Sequence, residues 1–214
     1  LGVDAAPLKD LARKELGNML SLETGGHPQS TGVMNMRSPE SIAFEEAWEA
    51  ARAGHDVPPR SAIDLRRFAP FATRFAIIEP DPHAVALPFR LTGSGFRDFF
   101  GYDLTGTDYL TLADPAIREY AHDCVMACLR QPCGLWQATP ATTAEGQSIL
   151  YEYTILPISK SGGPADHIVI FVNFDAKSHD DLPGLARIER STVWHWLDTG
   201  FGVPPATVGR APLG

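Results

Sequence analysis

The stretch from Leu87 to Gly106 constrains this chain most, because a strand passes there into an aromatic helix with no long connection. Leu87, Phe89 and Leu91 alternate with Pro88, Arg90 and Thr92, the period of a strand with one covered face. Gly93 and Gly95 break the strand. Ser94 is placed to cap a short helix carrying Phe96, Phe99 and Phe100, and Gly101 to end it. Asp103-Leu-Thr-Gly106 makes a second turn. Gly93, Gly95, Gly101 and Gly106 read as hinges around an aromatic lid that faces a sheet across a small gap. Either a core or a ligand can sit in such a gap.

The flanking pattern supplies the sheet and its covers. Ser38 is a helix N-cap, Pro39 suits the first helical position, and Phe44, Ala47, Trp48 and Ala51 form an apolar stripe that Gly54 closes. A proline-stiffened connection, Val57 to Asp64, follows, with Asp64 placed to cap a helical turn through Arg67. Arg74 to Glu79 reads as a strand. Beyond the aromatic helix, Tyr109 to Ala113 leads into a longer helix that Asp114-Pro115 starts and that reaches Arg130. Cys133 to Thr143, Ile149 to Ile158 and His167 to Phe174 read as strands in antiparallel hairpins. The last is apolar on both faces, so something must cover its second face: the Phe44/Trp48 helix or a partner subunit.

Two terminal segments flank this unit. Leu8, Leu11, Ala12, Leu16 and Met19 share a helical face between Pro7 and Leu22, which suits a tail or a dimerising helix. Leu185, Ile188, Thr192, Val193 and Trp196 predict a final amphipathic helix before a Gly/Pro-rich tail. The expected organisation is residues 1–37 as helix and linker, 38–176 as the domain, and 177–214 as helix and flexible tail. A net charge of -8 argues against a direct nucleic-acid or anionic-membrane binder. No apolar run is long enough to span a membrane, and the start shows no secretory signal. The three cysteines, Cys124, Cys128 and Cys133, lie close together, which fits a reducing cytoplasm better than a disulfide framework.

The element order is α+β: two strands, short helices, one longer helix and three antiparallel strands. Three motifs make the pattern more specific. The first is Trp48 with Gly54 and Pro59-Arg60-Ser-Ala-Ile-Asp64. The second is Phe89-Arg90-Leu91-Thr92-Gly93 followed by Phe100-Gly101-Tyr-Asp103-Leu-Thr105-Gly106. The third is Leu156-Pro157-Ile158-Ser159. Over about residues 40 to 175 the chain resembles the PAS domain family, and within it the small bacterial subfamily PAS_5, formerly a domain of unknown function. The resemblance implies a five-stranded antiparallel sheet with short helices on one face and an N-terminal helix covering the other. It also implies a sensor rather than an enzyme: a small-molecule ligand between sheet and helices, a signalling protein partner and a homodimer. A ligandless scaffold for dimerisation or protein contacts is the alternative, and a small enzyme using the same cavity a second.

Phe96, Phe99, Phe100, Tyr109, Trp136, Tyr151 and Tyr153 are candidates to line one cavity, or to fill it as core. His122, on the predicted long helix, joins them as the one residue placed to ligate a haem, a role a lone helical His seldom has. The cofactor is therefore left unknown. A light-oxygen-voltage flavin site needs a Cys in an Asn-Cys-Arg-Phe-Leu-Gln-like helix, which Asp123-Cys-Val-Met-Ala-Cys128 does not match. The cysteines, at C-x3-C-x4-C spacing, read as core rather than a metal site. Arg90 offers itself to an anion if its face is internal; if it is not, it is a solvated Arg or pairs with an acid on the covering helix. No nucleophile elbow or phosphate loop is present: Gly93-Ser94-Gly95 lacks the spacing for either.

Overall fold

The computed structural model describes residues 37–81, 83–143, 146, 148–173, 185–191 and 193–205. The expected Pro7 to Leu22 helix and the tail beyond residue 205 lie outside them.

Helix α1, Pro39–Arg52, starts at Ser38, whose hydroxyl accepts from Ser41 N at 3.1 Å. It ends with Ala53 and Gly54 both in the left-handed region, at φ 48° and 91°. A short helix α2, Leu65–Phe68, is capped by Asp64, which accepts from Arg66 N and Arg67 N. A 3-10 segment, Ala69–Arg74, then leads into strand β1, Phe75–Ile78. Strand β2 spans Phe89–Thr92, helix α3 Ser94–Phe100, and helix α4 Arg118–Arg130. Strands β3 (Cys133–Thr143), β4 (Ser148–Ile158) and β5 (His167–Asn173) follow. Asp114 caps a 3-10 turn, Pro115–Ile117, that precedes α4 rather than opening it.

The sheet runs β2-β1-β5-β4-β3, antiparallel throughout, and two strands beyond the expected five extend it. These are β6, Leu185–Ile188, and β7, Val193–Asp198, which pair with successive halves of the free edge of β3. They replace the expected C-terminal helix. Ile188 and Trp196 satisfy a helical spacing and a strand spacing alike. The open hydrogen-bonding edge of β3 decides between them, since its N–H and C=O groups need partners.

Strand alternation divides the sheet into two faces. Ile78, Tyr151, Tyr153, Ile155, Ile168, Ile170 and Val172 point inward, towards α3 and α4. Phe75 and Phe171 point outward, where α1 covers them: Phe44 lies 5.4 Å from Phe171 and Phe71 5.4 Å from Phe171, ring centre to ring centre. The second apolar face of β5 is thus covered within the chain, by the Phe44/Trp48 helix.

Two expectations for the opening stretch change. The N-cap of α3 is Gly93, and Ser94 is its first residue. Gly93 and Gly95 are not hinges: a Cβ on Gly93 would stand 2.1 Å from the Ala72 carbonyl oxygen, and one on Gly95 2.8 Å from that of Thr73. They are glycine because α3 crosses hard against the 3-10 segment. Gly101 and Gly106 do hold left-handed turns, at φ 83° and 84°. A bulge between Ile77 and Ile78 shifts the β1–β2 register, so Leu91 breaks the alternation and is exposed.

Candidate functional site

The inner face of the sheet and helices α3 and α4 enclose a cavity of about 50 Å³. Its floor is the inward row of β3, Leu135, Gln137 and Thr139, beside Tyr151, Tyr153 and Ile155 of β4 and Ile170 and Val172 of β5. Phe96 and Phe100 of α3 form one wall, their rings parallel within 10° at 6.3 Å. Tyr120, Ala121, Cys124 and Val125 of α4 form another. Tyr109 closes one end and Ile188 and Glu189 another, so a β6 residue that the sequence placed on a helix contributes to the wall.

Five of the eight candidates come together here: Phe96, Phe100, Tyr109, Tyr151 and Tyr153. Phe99 does not line the space; it packs edge-on against Tyr151 at 5.8 Å. Trp136 belongs to the other face, because β3 alternates and Leu135 and Gln137 take the inward positions. Trp136 Nε1 donates to Glu152, and its ring lies over His195 at 5.1 Å. His122 also lies outside the cavity wall, since α4 presents Tyr120, Ala121, Cys124 and Val125 instead; its Nδ1 stands 3.8 Å from the Asp123 carboxylate. Arg90 is exposed and pairs with Glu79, the residue after β1, not with an acid on the covering helix.

The wall is chemically quiet. Burial pushes the Cys124 thiol up to about 11 and the Tyr109 phenol up to about 12, and raises Tyr120, Tyr151 and Tyr153 as well. These groups are therefore neutral near pH 7. The Thr139 hydroxyl is buried and has no hydrogen-bond partner. Cys124, Cys128 and Cys133 are free and buried, and the described residues contain no group of three or more potential metal ligands.

Of the three sequence motifs only the second reaches this space, through Phe89 and Phe100; the first and third clamp the outer layer to the sheet. Trp48 Nε1 donates to Pro157 O at 2.8 Å, joining the first motif to the third. Arg60 N donates to Ser159 O at 2.7 Å, and Ser159 N to Pro58 O at 3.0 Å. Within the second motif Asp103 Oδ1 accepts from Thr105 N at 2.9 Å and from the Thr92 hydroxyl at 3.3 Å. A PAS domain family model, PAS_5, matches residues 36–170, more than half of the chain. The chain belongs to the PAS domain family. A comparison with curated proteins finds no match.

Among solved structures, this PAS domain is similar to the Rhodobacter sphaeroides LOV protein at 13% identity, covering 55% of this chain and 73% of that one, with a TM-score of 0.39. It is also similar to the PAS domain of a Colwellia psychrerythraea protein, at 16% identity, 53% and 99% coverage and a TM-score of 0.38. A third is the light-state dimer of the fungal blue-light photoreceptor Vivid, at 16% identity, 72% and 99% coverage and a TM-score of 0.38. The family assignment rests on the family match. The residues present do not fit a haem or a flavin in this conformation. The cavity is far below the roughly 300–1,000 Å³ of sites for drug-sized ligands, and His122 does not face it. Among the described residues, no helix is long and apolar enough to cross a membrane.

Proposed function

We propose that this PAS domain is a sensory module that binds a small ligand in the inner cavity and passes occupancy to a signalling partner. One observation carries the reading: the cavity between sheet, α3 and α4 has an unpartnered buried hydroxyl, Thr139, in its wall. Buried polar groups are ordinarily satisfied, so an occupant that hydrogen-bonds there gains what the protein alone leaves unmade.

Transmission has a physical route in this proposal. Phe96 and Phe100 of α3 touch the cavity, and Gly93 and Gly95 hold α3 against the carbonyls of Ala72 and Thr73. The same 3-10 segment carries Phe71, which packs on Phe44 of α1 at 5.3 Å. A shift of α3 on binding thus reaches the outer helix around the β1–β2 edge, as a change in the population of two packings. The role is binding and signalling rather than catalysis: the thiol and phenols of the wall are held protonated. A cytoplasmic setting and a homodimer complete the proposal, the former supported by three closely spaced free thiols.

Thermal unfolding against a broad metabolite library tests it, with intact-mass analysis of anything released on denaturation. A compound that raises the midpoint and perturbs α3 and α1 resonances together is expected. The absence of both a shift and a released compound favours the second reading, a ligandless scaffold. That reading draws on the cavity volume of about 50 Å³, small enough to hold only a few waters.

A further inference from the structure

The wall of the cavity carries a chemical preference that its size and shape alone do not. Successive inward positions of β3 place Gln137 and Thr139 side by side, 3% and 2% exposed. Gln137 brings a carboxamide with two donor hydrogens and an acceptor oxygen, and Thr139 a hydroxyl that both donates and accepts and has no partner. Around this polar strip the wall is mostly aliphatic and aromatic, with Glu189 and Ser191, whose hydroxyl donates to Ala138 O, as the other polar members. Among the described residues no Lys, Arg or His side chain lines it, and its phenols and thiol are neutral near pH 7. Arg190 lies over the Tyr120 ring at 5.7 Å, but from an exposed position and without lining the cavity, so an anion inside would meet no buried countercharge, and burying an unpaired charge is costly. Glu189 is the one acid among the described wall residues; one of its oxygens accepts from the Thr142 hydroxyl at 2.5 Å, and the propylammonium arm of the test below asks whether its charge draws a cation.

We infer that the cavity selects a small neutral molecule with a short apolar body and one head group that both donates and accepts hydrogen bonds, such as a primary amide or an alcohol. This rests on the sensory reading above and adds the ligand class to it. The head group bonds Gln137 and Thr139, and the body lies against Phe96, Phe100 and Ile170. The volume of about 50 Å³ corresponds to about four waters, or an organic molecule of about four or five heavy atoms.

The test is a charge series at constant size on the full 214-residue chain. Propionamide, 1-propanol, propionate and propylammonium are each titrated while the methyl and aromatic resonances of the cavity wall are followed. Xenon, an apolar gas, serves as a probe of access. Propionamide and 1-propanol are expected to shift the wall resonances saturably, with affinity at least tenfold above propionate and propylammonium. Thr139→Val should weaken propionamide several-fold and leave xenon unchanged. If propionate or propylammonium binds as well as the neutral pair, or if Thr139→Val leaves propionamide binding unchanged, the ligand class is wrong. Xenon entry without binding of any of the four molecules likewise overturns it while leaving the cavity reading intact. If even xenon fails to enter, the sensory reading itself fails. The charge series needs only the unaltered chain, so misfolding of the variant would not obscure the answer.

Discussion

On the outer face of the sheet, Phe44 sits among Phe68, Phe71, Phe75 and Phe171 at centroid distances of 5.3–6.2 Å. The indole donors of Trp48 and Trp136 have acceptors in Pro157 O and Glu152, and the Ser41 and Thr154 hydroxyls bond each other at 2.5 Å. On the inner face Tyr151 and Tyr153 stack at 6.1 Å beside a cavity and an unpartnered Thr139 hydroxyl. Aromatic residues crowd both faces, yet one face is a core and the other keeps space. Aromatic content alone does not mark a site. The outer face too has buried polar atoms without a partner, Arg37 Nε and His195 Nδ1, so the mark of a site is the conjunction of leftover volume with such an atom in its wall, as at Thr139.

Five experiments test that contrast. Phe171→Ala should have the largest effect, a loss of about 3–5 kcal/mol in urea unfolding, since it opens a hole beneath Phe44 and Phe71. A loss below about 1 kcal/mol would mean the outer face is not close-packed. Thr154→Val should cost about 1–3 kcal/mol by stranding the buried Ser41 hydroxyl.

The alkaline limb of stability reports the inner face. Burial raises the Cys124 thiol from 9.0 to about 11 in the folded chain. The folded state therefore holds this proton where the unfolded state has lost it. The contribution is complete below pH 9 and declines as pH rises through about 11. Cys124→Ser should flatten that decline in unfolding measured from pH 8 to 11; superimposable profiles would refute the assignment. The acid limb reports the outer face. Burial first, and the Arg37 charge second, lower His195 from 6.5 to about 4. Here the unfolded state takes the proton first, so stability is complete above pH 6.5 and is lost as pH falls towards about 4. A His195→Gln variant should lose less over that window than the parent, and equal losses would remove His195 as the cause.

Thr139→Val should have the smallest effect on the free protein, between no change and a gain of about 1 kcal/mol, because no hydrogen bond is lost. Thr139→Val and Thr154→Val are the same chemical change on opposite faces. Equal costs for the two would erase the distinction between core and cavity.

Most of the fold was legible in local pattern. Ser38, Asp64 and Gly101 mark helix ends by their own chemistry, and β3 was bounded correctly at Cys133 and Thr143 by turn residues and alternation. The candidate site was half legible. Tyr151 and Tyr153 fall on one face by period two, but Trp136 needed its register relative to Leu135 and Gln137, and His122 needed the rotation of α4 against the sheet. The alternation of Trp194 and Trp196 about His195 was a usable strand signal for β7, masked by the helical spacing of Ile188 and Trp196.

By itself the sequence determined the PAS-type order of elements and the aromatic helix between Leu87 and Gly106, because capping, turn chemistry and alternation act over a few residues. Only the tertiary structure decided that Gly93 and Gly95 serve close packing, that β6 and β7 complete the sheet, and that the space lies beside Gln137 and Thr139. Those outcomes depend on contacts between segments far apart in the chain, where backbone edges must be paired and side-chain volumes must fit whatever faces them.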